Sequence, residues 1–136
     1  MTGRLPARAC CAVFRGNPEE VDFISRSLPF RMATIAELND AHRCVIPIST
    51  TYVTAGVAAL PSDTQARIFE RVRIFDAFTN DNDPWQEHDF GAFEIDGQTF
   101  NWKIDCYDVD LRYASPDPTD PFVTRRVLTI MFATEY

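Results

Sequence analysis

The chain has 136 residues and a net charge of −7, enough for one domain with one core and too little for two ordinary ones. With 46% hydrophobic and 24% charged residues, it fits neither wholesale disorder nor a fibrous repeat. No apolar run approaches the length of a membrane-spanning helix, and the apolar patch at 9–14 is too short for a secretory leader, so we expect a soluble cytoplasmic protein with no membrane partner.

Charge is unevenly spread. Residues 1–75 carry nine Arg against seven acids, whereas 76–136 carry four Lys/Arg against thirteen acids. The densest stretch, 76–120, has twelve acids against Lys103 and Arg112. Phosphate neutralisation needs Lys and Arg, so direct nucleic-acid binding by this half is disfavoured. The four cysteines, Cys10, Cys11, Cys44 and Cys106, form no C-x-x-C pair, which leaves zinc-ribbon spacing out and reads as reduced thiols. Cys106 falls at an apolar strand position and reads as core.

In chain order, residues 1–32 read as an Arg-rich, flexible arm with Arg4, Arg8, Arg15, Arg26 and Arg31, with room for one short helix near 18–27. A single domain over 33–136 follows. Thr34-x-x-Glu37 is a capping-box pattern that opens a helix, with Ile35, Leu38 and His42 on one stripe. Residues 45–55 are rich in β-branched types and read as a strand interrupted by Pro47. Ser62 and Gln65 suggest a second capping box, opening a helix over 62–78 with Ile68, Val72 and Phe75 facing inward.

Strands at 88–96 and 98–107 flank Asp96-Gly97, the pair that a type I′ hairpin turn prefers because both positions need positive φ. A two-residue turn fixes the register: Phe93 opposite Phe100, Gly91 opposite Trp102, and His88 opposite Asp105. A long proline-punctuated loop spans 108–123. Residues 127–133 are apolar on both faces and read as a central strand. The expected fold is α+β: an antiparallel sheet of about four strands with two helices packed on one face.

His88 beside Asp105, with Glu87 and Asp108 near the same hairpin end, has the composition of a general-base or hard-metal site. The catalytic candidates are therefore His88, Asp105 and Glu87, and the metal candidates His88, Asp105 and Asp108. The plain alternative is a hydrogen-bonded pair that pins the hairpin end. Asp81-x-Asp83 and Asp108-x-Asp110 hint at cations, but Trp85 and the missing glycine break an EF-hand pattern. No Walker loop, G-x-G-x-x-G, G-x-S-x-G or H-E-x-x-H occurs.

Five blocks carry a resemblance: ELNDAHR at 37–43, TAGVAALP at 54–61, FTNDNDPWQEHDFGAFEIDG at 78–97, WKIDCYD at 102–108 and SPDPTDPFVTRRVLTIMFATEY at 115–136. Over about 33–136 the chain resembles the bacterial family known as domain of unknown function 3768. The resemblance implies a small bacterial protein of mobile-element type and implies no activity, so it transfers no catalytic residue.

Three functions follow as expectations. The first is a small acidic, non-catalytic binding protein without a cofactor. It would use Asp81, Asp83, Trp85, Glu87, Asp108, Asp110, Asp117 and Asp120 to present carboxylates in place of phosphates, and so block a nucleic-acid-binding host or defence protein. The second is a divalent-metal hydrolase or nuclease-like enzyme centred on His88 and Asp105. The third is an accessory protein that forms a homodimer through an edge strand or exposed aromatics.

Overall fold

A computed structural model describes residues 33–136; the expected arm and its short helix lie outside the described residues. Helix α1 (Ile35–Val45) opens as its sequence dictates. The Thr34 hydroxyl accepts the Glu37 amide at 3.1 Å and the Glu37 carboxylate accepts the Thr34 amide at 2.9 Å. It stops at Ile46, whose φ of 49° is left-handed.

The strand expected over 45–55 shrinks to β1 (Thr51–Val53). Ile46 turns the chain, Pro47 has no amide to give a ladder, and a single 3-10 turn fills Ile48–Thr50. A short helix not foreseen in the sequence, α2 (Ala55–Ala58), follows. Its first turn is held from the far end of the chain: the Glu135 carboxylate accepts the Thr54 hydroxyl at 2.6 Å and the Gly56 amide at 3.2 Å.

Helix α3 (Ser62–Arg73) ends earlier than the expected 78. The expected Ser62–Gln65 capping box does not form. Ser62 is already helical behind Pro61, and the Gln65 amide donates instead to the Ala58 and Leu60 carbonyls, closing the α2–α3 turn.

Strands β2 (Phe90–Ile95) and β3 (Gln98–Tyr107) form the expected hairpin. Asp96 and Gly97 have φ of 51° and 79°, as a type I′ turn requires. The register is as derived from Phe90↔Lys103 to Ile95↔Gln98. Strand β4 (Arg125–Phe132) lies inside the sheet, whose order is β1-β4-β3-β2. The α+β class holds, but the sheet is mixed rather than antiparallel: β1 runs parallel to β4, with Thr51 against Leu128. Among the described residues three α-helices, not two, accompany it.

The core lies between the helices and the inner sheet face. Val57, Ile68 and Val72 meet Phe93, Phe100, Trp102, Ile104, Leu128 and Ile130. Gly91 is required here. A Cβ on it would collide with Trp102 Nε1 and lie 2.7 Å from Trp102 Cε2 and 2.8 Å from Phe75 Cε1. The inner face turns polar past Ile104 and Leu128, where Cys106 stands opposite Arg126. Strand directions have one further consequence. β1, β2 and β4 begin, and β3 ends, at the same end of the sheet, so segments 46–50, 74–89 and 108–124 all gather there. Among the described residues no helix is long and apolar enough to cross a membrane.

Candidate functional site

His88 does not meet Asp105. The β2–β3 ladder runs out at Asp89, whose carbonyl accepts the Ile104 amide at 2.8 Å. Gln86 and His88 then take left-handed φ of 55° and 54°, which turns the imidazole away from β3 and toward α1. Its Nδ1 lies 3.0 Å from both carboxylate oxygens of Asp40, its Nε2 lies 3.7 Å from Asp83 Oδ2, and its ring stacks on Phe78 at 3.8 Å between centroids. Asp105 pairs instead with Lys103 at 3.0 Å.

Asp40 was not among the candidates; 48 positions separate it from His88, and only its place on α1 brings it close. The same carboxylate takes Arg43 Nη2 at 2.7 Å. Arg43 is buried, donates to the Val72 carbonyl at 2.8 Å and lies over the Trp102 ring. His88 is thus one member of a chain of polar contacts that bolts the 79–89 segment to α1 and the core.

Asp83, expected on a binding surface, is buried. Its carboxylate accepts the backbone amides of Glu87 and His88, which is what folds this segment. Asn82 and Thr79 complete the turn through reciprocal side-chain bonds. Burial pushes the carboxyl pKa of Glu87 and of Asp89 upward, and in both cases neighbouring carboxylates, Asp83 among them, add to the rise.

The other candidate acids lie along the two loops rather than around one point. Asp81 and Asp110 are exposed. Asp108 accepts the Arg112 amide at 3.0 Å and Asp120 the Phe122 amide at 2.9 Å. Asp117 accepts the Thr119 hydroxyl and amide, and that hydroxyl holds its carboxyl below the ordinary range. Among the described residues, no group of three or more His, Cys, Asp or Glu is placed to hold a metal ion. The Cys106 thiol is half-buried and burial raises its pKa, the opposite of what a nucleophilic thiolate needs.

Sequence reasoning singled out Trp85 alone among the apolar groups on this surface. The structure leaves Trp85 82% exposed, Phe122 90% and Tyr113 74%, with Val109 and Leu111 also outward. The signal was available, since each sits in a proline- and Asp-rich segment without helix or strand period. Leu111 is left-handed as well, with φ of 60°.

Behind this surface runs a buried polar layer. Asn39, fully buried, donates to the Glu87 carbonyl at 2.9 Å and accepts Arg126 Nε at 2.7 Å. Arg126 Nη2 donates to the Pro118 carbonyl. One side chain of α1 therefore ties down both long loops. No curated protein and no solved structure matches the chain. The family model for a protein of unknown function, DUF3768, matches residues 53–135, which is more than half of the sequence, and the chain belongs to that family.

Proposed function

We propose that the protein is a non-catalytic binding protein that engages another protein with a basic surface, of the sort that otherwise holds phosphates. The observation carrying this reading is the coincidence of two properties at one end of the sheet. Segments 76–89 and 108–124 together hold nine carboxylates against Arg112 alone, and the same segments hold Trp85, Tyr113 and Phe122 outward. Large aromatics held outward in acidic loops at one end of a sheet fit an interface with a polar rim. Trp and Tyr are the side chains that most often dominate binding energy, while surrounding charge speeds encounter and selects the partner's sign. The separation of His88 from Asp105 removes the geometry on which the hydrolase reading rested, so the binding reading stands first.

Trp85 supplies the test, because Trp102 is fully buried and serves as an internal control. The probe is a ten-residue arginine peptide, followed by Trp85 fluorescence and by anisotropy of a labelled peptide. Binding should weaken at least tenfold, about 1.4 kcal/mol, in Trp85→Ala and in Asp81→Lys with Asp110→Lys, at unchanged melting temperature. The charge reversal should act chiefly on the association rate. Equal binding by wild type and both variants would remove the proposal.

A further inference from the structure

We propose that Arg126, with the Thr51 hydroxyl and the His42 imidazole, forms a binding site for one small oxyanion group, a carboxylate or a phosphate. The proposal does not rest on the binding role of the loop surface.

The first observation is a charge without a counterion. Arg126 is only 8% exposed, and its bonds go to neutral groups, the Asn39 side chain and the Pro118 carbonyl. Among the described residues no carboxylate lies within ion-pair distance of it, and its Nη1 makes no hydrogen bond yet is not sealed from solvent. The other buried arginine, Arg43, by contrast pairs with Asp40. Nine carboxylates lie in the two loops at the same end of the domain, and none of them is within ion-pair distance of the Arg126 guanidinium. A desolvated cation facing only dipoles is under-compensated, and burial accordingly lowers its pKa.

The second observation is an orphaned donor beside it. The Thr51 hydroxyl is buried and, among the described residues, has no hydrogen-bond partner. Strand pairing sets Thr51 against Leu128, so on the inner face Thr51 and Arg126 are diagonal neighbours. Buried hydroxyls rarely go unpaired, and one next to an uncompensated cation marks a place for an acceptor.

The third is the imidazole. His42 lies half-buried near Arg126, with Nε2 3.4 Å from the Thr50 hydroxyl. Burial and the Arg126 charge keep it neutral at pH 7, so it adds a ring N–H donor without a second charge. An entering oxyanion would supply the missing negative charge to Arg126 Nη1 and accept from Thr51 and His42. Free acids and phosphates share this chemistry, as do a partner's carboxylate and a phosphoryl group.

The test is NMR of the full chain, labelled in Arg and His side chains and titrated with inorganic phosphate or acetate at constant ionic strength held with sodium chloride. Saturable shifts of the Arg126 guanidinium and His42 ring, half complete near about 1 mM, support the site. Movement with phosphate alone assigns phosphate, with acetate alone a carboxylate, and with both the shared chemistry. No movement up to tens of millimolar, or equal movement with chloride, would overturn it. Arg126→Gln should abolish the shifts of the His42 ring. That change also removes the bond to Asn39 and so risks the fold. Thr51→Val is therefore the second variant. It should weaken binding at least threefold while leaving the anion-free melting temperature unchanged or higher, and wild-type affinity in it would equally overturn the site.

Discussion

Gly91→Ala is a sharp test of the core, because the added methyl has a defined place to go and that place is taken. The new Cβ would overlap Trp102 Nε1 and stand 2.7 Å from Cε2 of the same indole and 2.8 Å from Phe75 Cε1. The indole is fully buried. Phase space for its retreat is closed by the Arg43 guanidinium 4.9 Å from its centroid and by edge-on contacts with Phe75 and Phe78 at 5.5 and 6.1 Å. Overpacking of this kind costs about 1–3 kcal/mol. Replacing glycine in a strand returns roughly 0.5–1 kcal/mol of backbone entropy. The net loss should be about 1–2 kcal/mol for alanine and more for valine, or a fall in melting temperature of roughly 5–10 °C for a domain of this size. Urea unfolding followed by tryptophan fluorescence reads it as a lower midpoint at unchanged slope. Trp102→Phe should cost stability alone yet shield against Gly91→Ala, giving a coupling energy near 1 kcal/mol in the double-mutant cycle. An unchanged midpoint in Gly91→Ala, or strictly additive costs, would refute the packing of the indole over this glycine.

His42 should make stability fall with acid: its pKa is pushed down from 6.5 to about 4, so between those values the unfolded chain binds the proton that the folded one refuses, and the contribution present above pH 6.5 is fully lost below pH 4. The shift corresponds to at most ~3 kcal/mol, and partial solvent access reduces it to roughly 1–2, measured as the urea midpoint against pH in wild type and His42→Phe, the variant flattening the profile. Glu87 and Asp89, with raised carboxyl pKa values, act in the opposite sense and are common to both proteins, so the difference isolates the imidazole. Asn39→Ala should cost about 2–4 kcal/mol, because it orphans the buried Arg126 Nε and the Glu87 carbonyl together, and thermal unfolding within about 1 kcal/mol of wild type would count against the polar layer.

What the sequence made legible was whatever neighbours in the chain decide. Asp96-Gly97 specifies its own turn, and the turn fixes the register of everything it connects, down to Gly91 against Trp102. Thr34 and Glu37 satisfy each other within one helical turn, and the stretch 127–133, apolar but for Thr129, needs no partner to be recognised as interior. The failures share the opposite property. β1 pairs in parallel with a strand 77 positions later, and α2 is capped by Glu135 from the end of the domain. The hairpin register does not extend past the end of the ladder to His88, because left-handed backbone at Gln86 and His88 redirects the chain there. Neither residue type announces that conformation; Asp83 imposes it by accepting two successive amides.

The two long loops should therefore be seen as built rather than slack. Asp83 folds the first from within, Asp108, Asp117 and Asp120 fold the second, and Asn39 fastens both to α1, one through Glu87 and the other through Arg126 and Pro118. Several carboxylates that give this end its negative field are thus the same groups that fix its backbone. That dual use explains why the acids spread along the chain instead of converging: each serves the turn it sits in. It also explains how Trp85, Leu111, Tyr113 and Phe122 stay outward, since the backbone beneath them is held from the inside. A surface whose loops are already ordered would lose little conformational entropy on meeting the proposed partner, so affinity there would depend on the aromatic contacts and the sign of the opposing charge. Loosening Asn39, which is buried and holds the Glu87 carbonyl, should then weaken the proposed binding from behind the surface.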